Sequence, residues 1–204
     1  MKIGILISGR GSNMAAIVEA VQSGEIPNSE IAVVISDKTD AQGLQKAKEE
    51  NIETLVIEKN NRKRAEHDAE IVGELKKRNV ELVCLAGYMR LLSPDFVRAF
   101  PNKILNIHPS LLPSFKGLDA QKQAIEYGVK FSGCTVHFVD ESLDGGAIVA
   151  QKVVEVKEND RAETLAARIL EGEHALYIEA IKKIVDGKFE IIGRRVIEKS
   201  VTRP

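Results

Sequence analysis

The stretch KIGILISGRGSN, residues 2–13, decides the fold. Its first part, Ile3–Ser8, is an apolar run that ends in glycines, which is typical of a strand buried on both faces of a parallel sheet. A helical pattern follows from Met14 to Gln22, and Gly24 and Pro27 close it. A buried strand that leads through a glycine turn into a helix is the first half of a βαβ unit.

The same alternation of strand and helix continues along the first half of the chain. The further predicted strands are Ile31–Ile35, Thr54–Ile57, Leu82–Ala86 and Ile104–Ile107. The further predicted helices are Ala41–Glu50, Arg64–Arg78 and one that starts at Ser93-Pro94-Asp95 with Ser as its N-cap. This rhythm predicts right-handed βαβ units and a parallel sheet with helices on both faces.

The pattern changes after Ile107. Gly133–Val139 and Ile148–Val156 are predicted strands joined by an acidic, glycine-bearing loop, and such a pair can be antiparallel. A last helix is predicted over Ala162–Val185, and the tail from Lys188 forms either a small hairpin or a surface segment. The predicted fold is therefore α/β, with a single doubly wound, mostly parallel, Rossmann-like sheet flanked by helices and an antiparallel strand near the C-terminal half. We expect one domain over residues 1–204.

Composition excludes several classes of protein. The 204 residues are 44% hydrophobic and 29% charged, with a net charge of −1, which is typical of a globular protein without the basic excess of a nucleic-acid binder. No window approaches the ~20 apolar residues of a membrane span, and MKIGILISG lacks the features of a signal peptide. We expect a cytoplasmic protein with no membrane or nucleic-acid partner. Cys84 and Cys134 lie in apolar runs and are predicted to be buried thiols.

Gly9-Arg10-Gly11-Ser12-Asn13 follows the first strand and opens the first helix. Glycines and free backbone N–H groups at a helix start favour an anion. Met14 stands where a dinucleotide fingerprint has its third glycine, and a Walker A lysine is missing, so the loop favours a single phosphate such as a 5′-phosphoribosyl group. The alternative is a tight turn capped by Ser12 or Asn13.

Two further segments carry polar side chains that suit catalysis. Asn106 and His108 lie two residues apart at the end of a strand, on one face, followed by a loop that Pro109 and Pro113 stiffen. Asp144 precedes a Gly-Gly turn. A carboxylate beside a histidine raises the imidazole pKa and makes it a better proton donor near neutrality. Taken singly, the histidine can also be a core residue and the aspartate part of a solvated loop.

The order of these motifs resembles the folate-dependent formyltransferases. Asn106-x-His108 followed by Pro-Ser-Leu-Leu-Pro, and the stretch from Gly133 to Gly146 that ends in Leu143-Asp144-x-Gly146, are similar to that family's signature. Gly11-Ser12-Asn13 is similar to the members that formylate glycinamide ribonucleotide in purine biosynthesis. The resemblance extends from Met1 to about Gly187.

The resemblance implies a role for each matching residue. The catalytic trio is Asn106, His108 and Asp144. The residues implied for the ribonucleotide are Gly11, Ser12 and Asn13 at its phosphate, and Leu170, Glu171, Gly172 and Glu173 at its ribose end. Those implied for the folate are Arg64, Met89, Arg90, Leu91, Leu92, Asn106, Asp140, Glu141, Ser142, Leu143 and Asp144. The phosphate site would then belong to the N-terminal half, and the folate and catalytic site to the C-terminal half.

The resemblance also implies the reaction. The amine of glycinamide ribonucleotide would attack the formyl group of 10-formyltetrahydrofolate, which is the co-substrate, with no metal and with a monomer or homodimer as the assembly. No two histidines have zinc-ligand spacing with a third ligand nearby. One departure is Asp119, where some relatives have histidine.

The other three histidines are predicted to lie outside the chemistry. His137 is expected to be structural or to support the trio, and His67 to be solvated on a polar helix. His174 is expected to pack or cap beside Glu173.

Rival functions remain open at this point. A formyltetrahydrofolate deformylase carries an extra N-terminal regulatory domain, whereas this chain starts at its first strand. A methionyl-tRNA formyltransferase carries a C-terminal domain and a basic surface. A sugar-nucleotide formyltransferase is a further alternative, as is a non-catalytic nucleotide-binding module, although a module of that kind would not need the intact trio.

Overall fold

A computed structural model describes residues 1–199 of the chain. The strands are β1 (Lys2–Ile7), β2 (Glu30–Ser36), β3 (Thr54–Val56), β4 (Leu82–Leu85), β5 (Ile104–His108), β6 (Phe131–Phe138), β7 (Ile148–Glu155), β8 (Phe189–Ile192) and β9 (Arg195–Glu198). The helices are α1 (Ser12–Gln22), α2 (Gln42–Glu49), α3 (Arg64–Lys77), α4 (Pro94–Ala99), α5 (Ala120–Tyr127) and α6 (Ala162–Val185).

All nine strands form one sheet in the order β3-β2-β1-β4-β5-β6-β7-β9-β8. The first five strands are parallel, and β6 is antiparallel to both β5 and β7. The order reverses between β1 and β4, and in open α/β sheets ligands bind beyond the carboxyl ends of the strands at such a point. The predicted doubly wound, mostly parallel fold is confirmed.

The sheet is covered on both faces, as its apolar strands require. The core on one face packs β1 and β5 against α1 and α6, and the core on the other face packs β2 and β4 against α3 and α4. Tyr177 of α6 is fully buried, and its hydroxyl donates to the carbonyls of Leu85 and Leu105. These bonds fix α6 over the ends of β4 and β5, where Asn106 and His108 follow.

Most element predictions are confirmed within one or two residues. The α6 bounds agree, Ser93 accepts from the Phe96 N–H as the N-cap of α4, and the tail forms the hairpin of β8 and β9. Both cysteines are buried free thiols. Helix α5 was not predicted, because its eight residues carry only a short apolar stripe.

The prediction that His67 is solvated is wrong. Its side chain is fully buried, and Nε2 donates to the carbonyl of Ile57 at 2.7 Å. The sequence around it is polar because the opposite side of α3 is exposed, and this pattern concealed an inward-facing histidine. No helix within residues 1–199 is long and apolar enough to cross a bilayer.

Candidate active site

The carboxyl end of β5 and the antiparallel strand β6 build the centre of the site. Asn106 and His108 lie on β5, and β6 places His137 opposite Asn106 and Thr135 opposite His108. His108 and His137 are both buried, while Asn106 is partly exposed. This pairing brings together two histidines and an amide that the sequence separates by about 30 residues.

Asp144 connects the two histidines. Its Oδ2 lies 3.5 Å from Nδ1 of His108, and its Oδ1 lies 3.8 Å from Nε2 of His137. Oδ2 also accepts from the N–H of Gly117 at 2.8 Å. The sequence-predicted trio of Asn106, His108 and Asp144 therefore converges on one place.

The Gly-Gly turn explains how Asp144 reaches that place. Asp144 itself has a left-handed backbone, with φ of 44°. A Cβ atom on Gly146 would lie 1.9 Å from the carbonyl oxygen of Phe138, so only glycine allows the loop to fold back onto the end of β6.

Both ring nitrogens of His108 have partners in this conformation. Nε2 lies 2.8 Å from the carbonyl oxygen of Phe115, and since a carbonyl only accepts, this nitrogen carries the hydrogen. Nδ1 faces the carboxylate of Asp144. A donor role for His108 toward a substrate oxygen therefore requires Nε2–H to leave Phe115, a condition that the sequence did not reveal.

His137 orients the Asn106 amide. Its Nδ1 donates to the carbonyl of Phe138 at 2.8 Å, so Nε2 is left as an acceptor, 3.2 Å from Nδ2 of Asn106. Burial lowers the pKa of His137 and so favours the neutral ring, although the hydrogen bond to Phe138 and the charge of Asp144 oppose this shift. Asn106 thus presents its NH₂ group toward the site, with one hydrogen still available. His137 supports the trio, one of the two roles expected from the sequence.

The predicted phosphate loop lies at the start of α1. Gly11 is the N-cap residue, with φ of 68° and no side-chain cap, so capping by Ser12 or Asn13 is wrong. A Cβ atom on Gly11 would lie 2.7 Å from Cα of Gly43, and Gly43 N–H donates to the carbonyl of Gly9 at 3.0 Å. Glycine is therefore required by packing, in addition to leaving the first N–H groups of α1 open to an anion.

Glu173 connects α6 to this loop. Its Oε2 accepts from Nδ2 of Asn13 at 2.7 Å, across 160 positions of sequence. Burial raises the pKa of the Glu173 carboxyl, although the bond from Asn13 and the nearby His108 oppose the shift. The phosphate loop of the N-terminal half therefore meets the C-terminal half at this buried pair.

The neighbours of Glu173 on α6 differ in their surroundings. Gly172 is buried against the side chains of Lys152 and Cys134, whereas Glu171 is exposed and Leu170 is partly buried. His174 is partly buried, and burial lowers its pKa. Of the four residues predicted for the ribose end, Glu173 alone is joined to the phosphate loop by a hydrogen bond in the described chain.

The residues predicted for the folate surround the same edge of the sheet. Met89 and Leu91 expose 63% and 58% of their surface, and Met89 N–H donates to Ser8 Oγ at 2.9 Å. Arg90 and Leu92 are partly buried, and Arg64 is exposed on the first turn of α3.

The Asp140–Asp144 loop is held by its own bonds. Asp140 accepts from both the N–H and the hydroxyl of Ser142, and Leu143 is about half exposed. Glu141 pairs with Arg98 on α4 at 2.8 Å, so its side chain serves the outer surface. Asp119, the departure from some relatives, is exposed at the N-cap of α5 with a left-handed backbone.

The fold is a doubly wound α/β sheet in which Asn106, His108 and Asp144 meet beyond the carboxyl end of β5, the strand next to β4 of the β1–β4 switch point. This arrangement of an amide, a histidine and a carboxylate is typical of an enzyme. A family model described as formyl transferase matches residues 1–181, and the chain belongs to this family.

Several relatives match this chain over most of their own length. Phosphoribosylglycinamide formyltransferase of Haemophilus influenzae is 45% identical over 191 residues, which cover 93% of this chain and 90% of that relative. The same enzyme of Bacillus subtilis is 41% identical, covering 90% and 94%. The crystal structure of glycinamide ribonucleotide transformylase 1 from Symbiobacterium toebii superposes with a TM-score of 0.95 at 49% identity, covering 97% and 93%.

Longer relatives contain a similar segment. The trifunctional purine biosynthetic protein adenosine-3 of Homo sapiens is 44% identical over 193 residues, which cover 93% of this chain. The chain spans 14% to 19% of the length of the trifunctional relatives that it matches.

Proposed function

We propose that the chain, as a single formyltransferase unit, transfers the formyl group of 10-formyltetrahydrofolate to the amine of 5-phosphoribosylglycinamide. The products are formylglycinamide ribonucleotide and tetrahydrofolate, a step of purine biosynthesis leading to IMP. The observation that carries the proposal is the convergence of Asn106, His108 and Asp144, with the Asn13–Glu173 pair joining the phosphate loop to the same site. The family and the functions of similar proteins support it.

The amine attacks the formyl carbon, and negative charge grows on the formyl oxygen. Asn106 donates its remaining amide hydrogen to that oxygen, and His108 donates Nε2–H after leaving the carbonyl of Phe115. A donor aimed at such an oxygen contributes roughly 10²–10³ in rate. The carbon–nitrogen bond to the folate N10 then breaks.

One proton must move from the attacking amine to the leaving N10. Asp144 lies between His108 and His137 and is only slightly exposed, so it can accept that proton directly or through water and return it to the folate. Because the amine is a competent nucleophile, no covalent intermediate on the chain is required.

Each substrate has its own part of the site. The ribonucleotide phosphate binds the N–H groups of Gly11, Ser12 and Asn13, and Glu173 accepts from the ribose hydroxyls. The folate lies between Met89–Leu92 and Asp140–Asp144, with its glutamate tail toward Arg64. Two buried free thiols suit a reducing cytoplasm, and we propose a monomer or homodimer there.

Steady-state assays of the purified chain test this function against its rivals. We expect tetrahydrofolate formation that depends on 5-phosphoribosylglycinamide. Equal tetrahydrofolate release with water alone would identify a deformylase, and dependence on an amino-sugar nucleotide would identify a sugar-nucleotide formyltransferase. Binding of the ribonucleotide without any turnover would favour a non-catalytic module.

A further inference from the structure

The segment Met89–Leu92, proposed above as a wall of the folate pocket, has no helix or strand of its own. Its shape therefore depends on how its two ends are held. At the first end, Met89 N–H donates to Ser8 Oγ at 2.9 Å, and Ser8 N–H donates to the carbonyl of Gly87. The segment is thus fixed to the end of β1, directly before the phosphate loop.

The second end is held by a carboxylate of a different element. Ser93 N–H donates to Oδ2 of Asp68, on α3, at 2.6 Å. This distance is short for an N–H···O bond, as expected when the acceptor is charged. Asp68 and Ser93 are separated by 25 positions of sequence, so the bond ties α3 to the entrance of α4.

Asp68 is buried beside His67 of the same helix. It is 1% exposed, and His67 Nδ1 lies 3.4 Å from its other oxygen, Oδ1. His67 in turn donates from Nε2 to the carbonyl of Ile57, at the end of β3. Burying a carboxylate costs free energy unless its bonds compensate, and replacing such a group by an apolar one is often neutral for stability. The bond to Ser93 N–H is one that compensates the burial of this carboxylate.

The same helix carries Arg64, the residue proposed for the glutamate tail of the folate. Arg64 and Asp68 are four residues apart, so they lie on the same side of α3. The first turns of α3 therefore carry both the residue proposed for the glutamate tail, Arg64, and the residue that holds the end of Met89–Leu92, Asp68.

We infer that Asp68 is a positioning residue for the folate, which acts by holding the Ser93 end of Met89–Leu92 and does not touch the substrates. This inference rests on the proposed function. It assigns to a buried α3 carboxylate an effect on one substrate only, because the ribonucleotide site at Gly11–Asn13 and Glu173 has no bond to Asp68 in the described chain.

The test compares Asp68→Ala with Asp68→Asn in full-length protein. Alanine removes the acceptor of Ser93 N–H, and we expect the KM for 10-formyltetrahydrofolate to rise about tenfold or more. The KM for 5-phosphoribosylglycinamide should change less than about twofold, a shift too small to reflect loss of a contact. Asparagine keeps an oxygen toward Ser93 and should restore most of the folate affinity.

Ile71→Val provides a control on the same helix. It removes one buried methylene from the core beneath α3 and should lower the melting temperature without changing either KM. Hydrogen exchange of the Ser93 amide should accelerate in Asp68→Ala and stay slow in Ile71→Val. If Asp68→Ala does not fold, Ser8→Ala carries the comparison, because it removes the acceptor of Met89 N–H at the other end of the same segment and should likewise raise the folate KM.

Two outcomes would overturn the inference. An equal rise of both KM values in Asp68→Ala would mean a general structural role, and an unchanged folate KM would mean that the anchor is irrelevant to binding. Direct titration with tetrahydrofolate separates this from failure of the proposed function. A wild-type protein that binds tetrahydrofolate without catalysing transfer would refute the function alone, and the Asp68 comparison would then be made on that binding constant. A wild-type protein that binds no folate would refute both.

Discussion

At the scale of single residues, the contact between Asn106 and His137 determines the orientation of the Asn106 side-chain amide. His137 accepts from Asn106 because its Nδ1–H is committed to the carbonyl of Phe138. We expect His137→Leu to lower kcat by about 10–100-fold, since a donor that loses its orientation loses part of its roughly 10²–10³ effect.

The loss in His137→Leu should be the same at every pH above neutrality, because burial lowers the pKa of this histidine below its usual range. His174→Gln serves as the control, because burial also lowers the pKa of His174. This variant should keep kcat near wild type. The measurement is the pH dependence of kcat for both variants, compared with that of the wild type. A loss confined to the acid limb would show that His137 itself exchanges the proton.

Glu173 is predicted to lower the stability of the folded chain while it contributes to binding of the ribonucleotide. Burial raises its pKa above 4.5, so the folded chain holds this proton more tightly than the unfolded chain does. The cost of ionising it is absent below the unfolded pKa and complete above the raised folded pKa.

Glu173→Gln removes this cost and keeps an oxygen for Asn13. We expect the melting temperature to rise at pH 7.5, by about 2–4 °C per kcal/mol for a chain of this size, with no gain near pH 4. The KM for the ribonucleotide should rise at the same time. Calorimetry at both pH values measures the effect, and a gain of equal size at pH 4 would contradict it.

The three residues proposed for catalysis, Asn106, His108 and Asp144, could be singled out from the sequence because Asn-x-His and Asp-Gly-Gly are local patterns. The partners of the trio could not be predicted. His137 faces Asn106 only through the antiparallel register of β5 and β6, and Phe115 acts through a backbone carbonyl, which no residue type reveals. The positions of His67 and Asp68 could not be predicted either, because both depend on contacts with elements that are distant in the sequence.

At the scale of elements, the glycine loop before α1 has to pack against α2 and is also proposed to bind the phosphate. Gly11 has a positive φ and packs on Gly43, so Gly11→Ala places Cβ in contact with α2. We expect a loss of about 1–3 kcal/mol in the free energy of unfolding. We also expect the KM for the ribonucleotide to rise more than that for the folate, because the displaced N–H groups are the ones proposed to bind its phosphate.

Chemical unfolding and separate titrations of the two substrates measure the effects of Gly11→Ala. Gly24→Ala is the control, since Gly24 also has a positive φ, and a Cβ there would meet no atom within 4 Å. It should lose stability but keep both KM values. If Gly11→Ala weakened both substrates equally, the loop would not be specific for the ribonucleotide.

The long helix α6 was predictable from the sequence, whereas the short helix α5 and the C-terminal hairpin were harder to predict. The 24-residue α6 carries an apolar stripe along its length, so its bounds followed from periodicity. Helix α5 begins after a left-handed Asp119 and has only two buried residues, which leaves no period to detect. The hairpin of β8 and β9 remained one of two alternatives because its few apolar residues fit either a strand or a surface segment.

At the scale of the whole molecule, the sheet order explains why one edge holds every proposed site residue. β1 leads to the phosphate loop and β4 to Met89–Leu92, β5 carries Asn106 and His108, and β6 leads to Asp144. These four strands are neighbours in the sheet. The rhythm of strands and helices predicted the parallel half of the sheet. It did not predict that Glu173 would cross to Asn13, since this contact depends on how α6 packs on α1.

The fate of the formyl carbon tests the central claim most directly. The chain is mixed with 10-formyltetrahydrofolate labelled with carbon-13 in the formyl group and with 5-phosphoribosylglycinamide, and the label is followed by NMR. We expect it to appear as the formamide carbon of the ribonucleotide, one for each tetrahydrofolate formed, and His108→Ala to slow this transfer while the ribonucleotide still binds. Label released as free formate, at a rate independent of the ribonucleotide, would contradict the account.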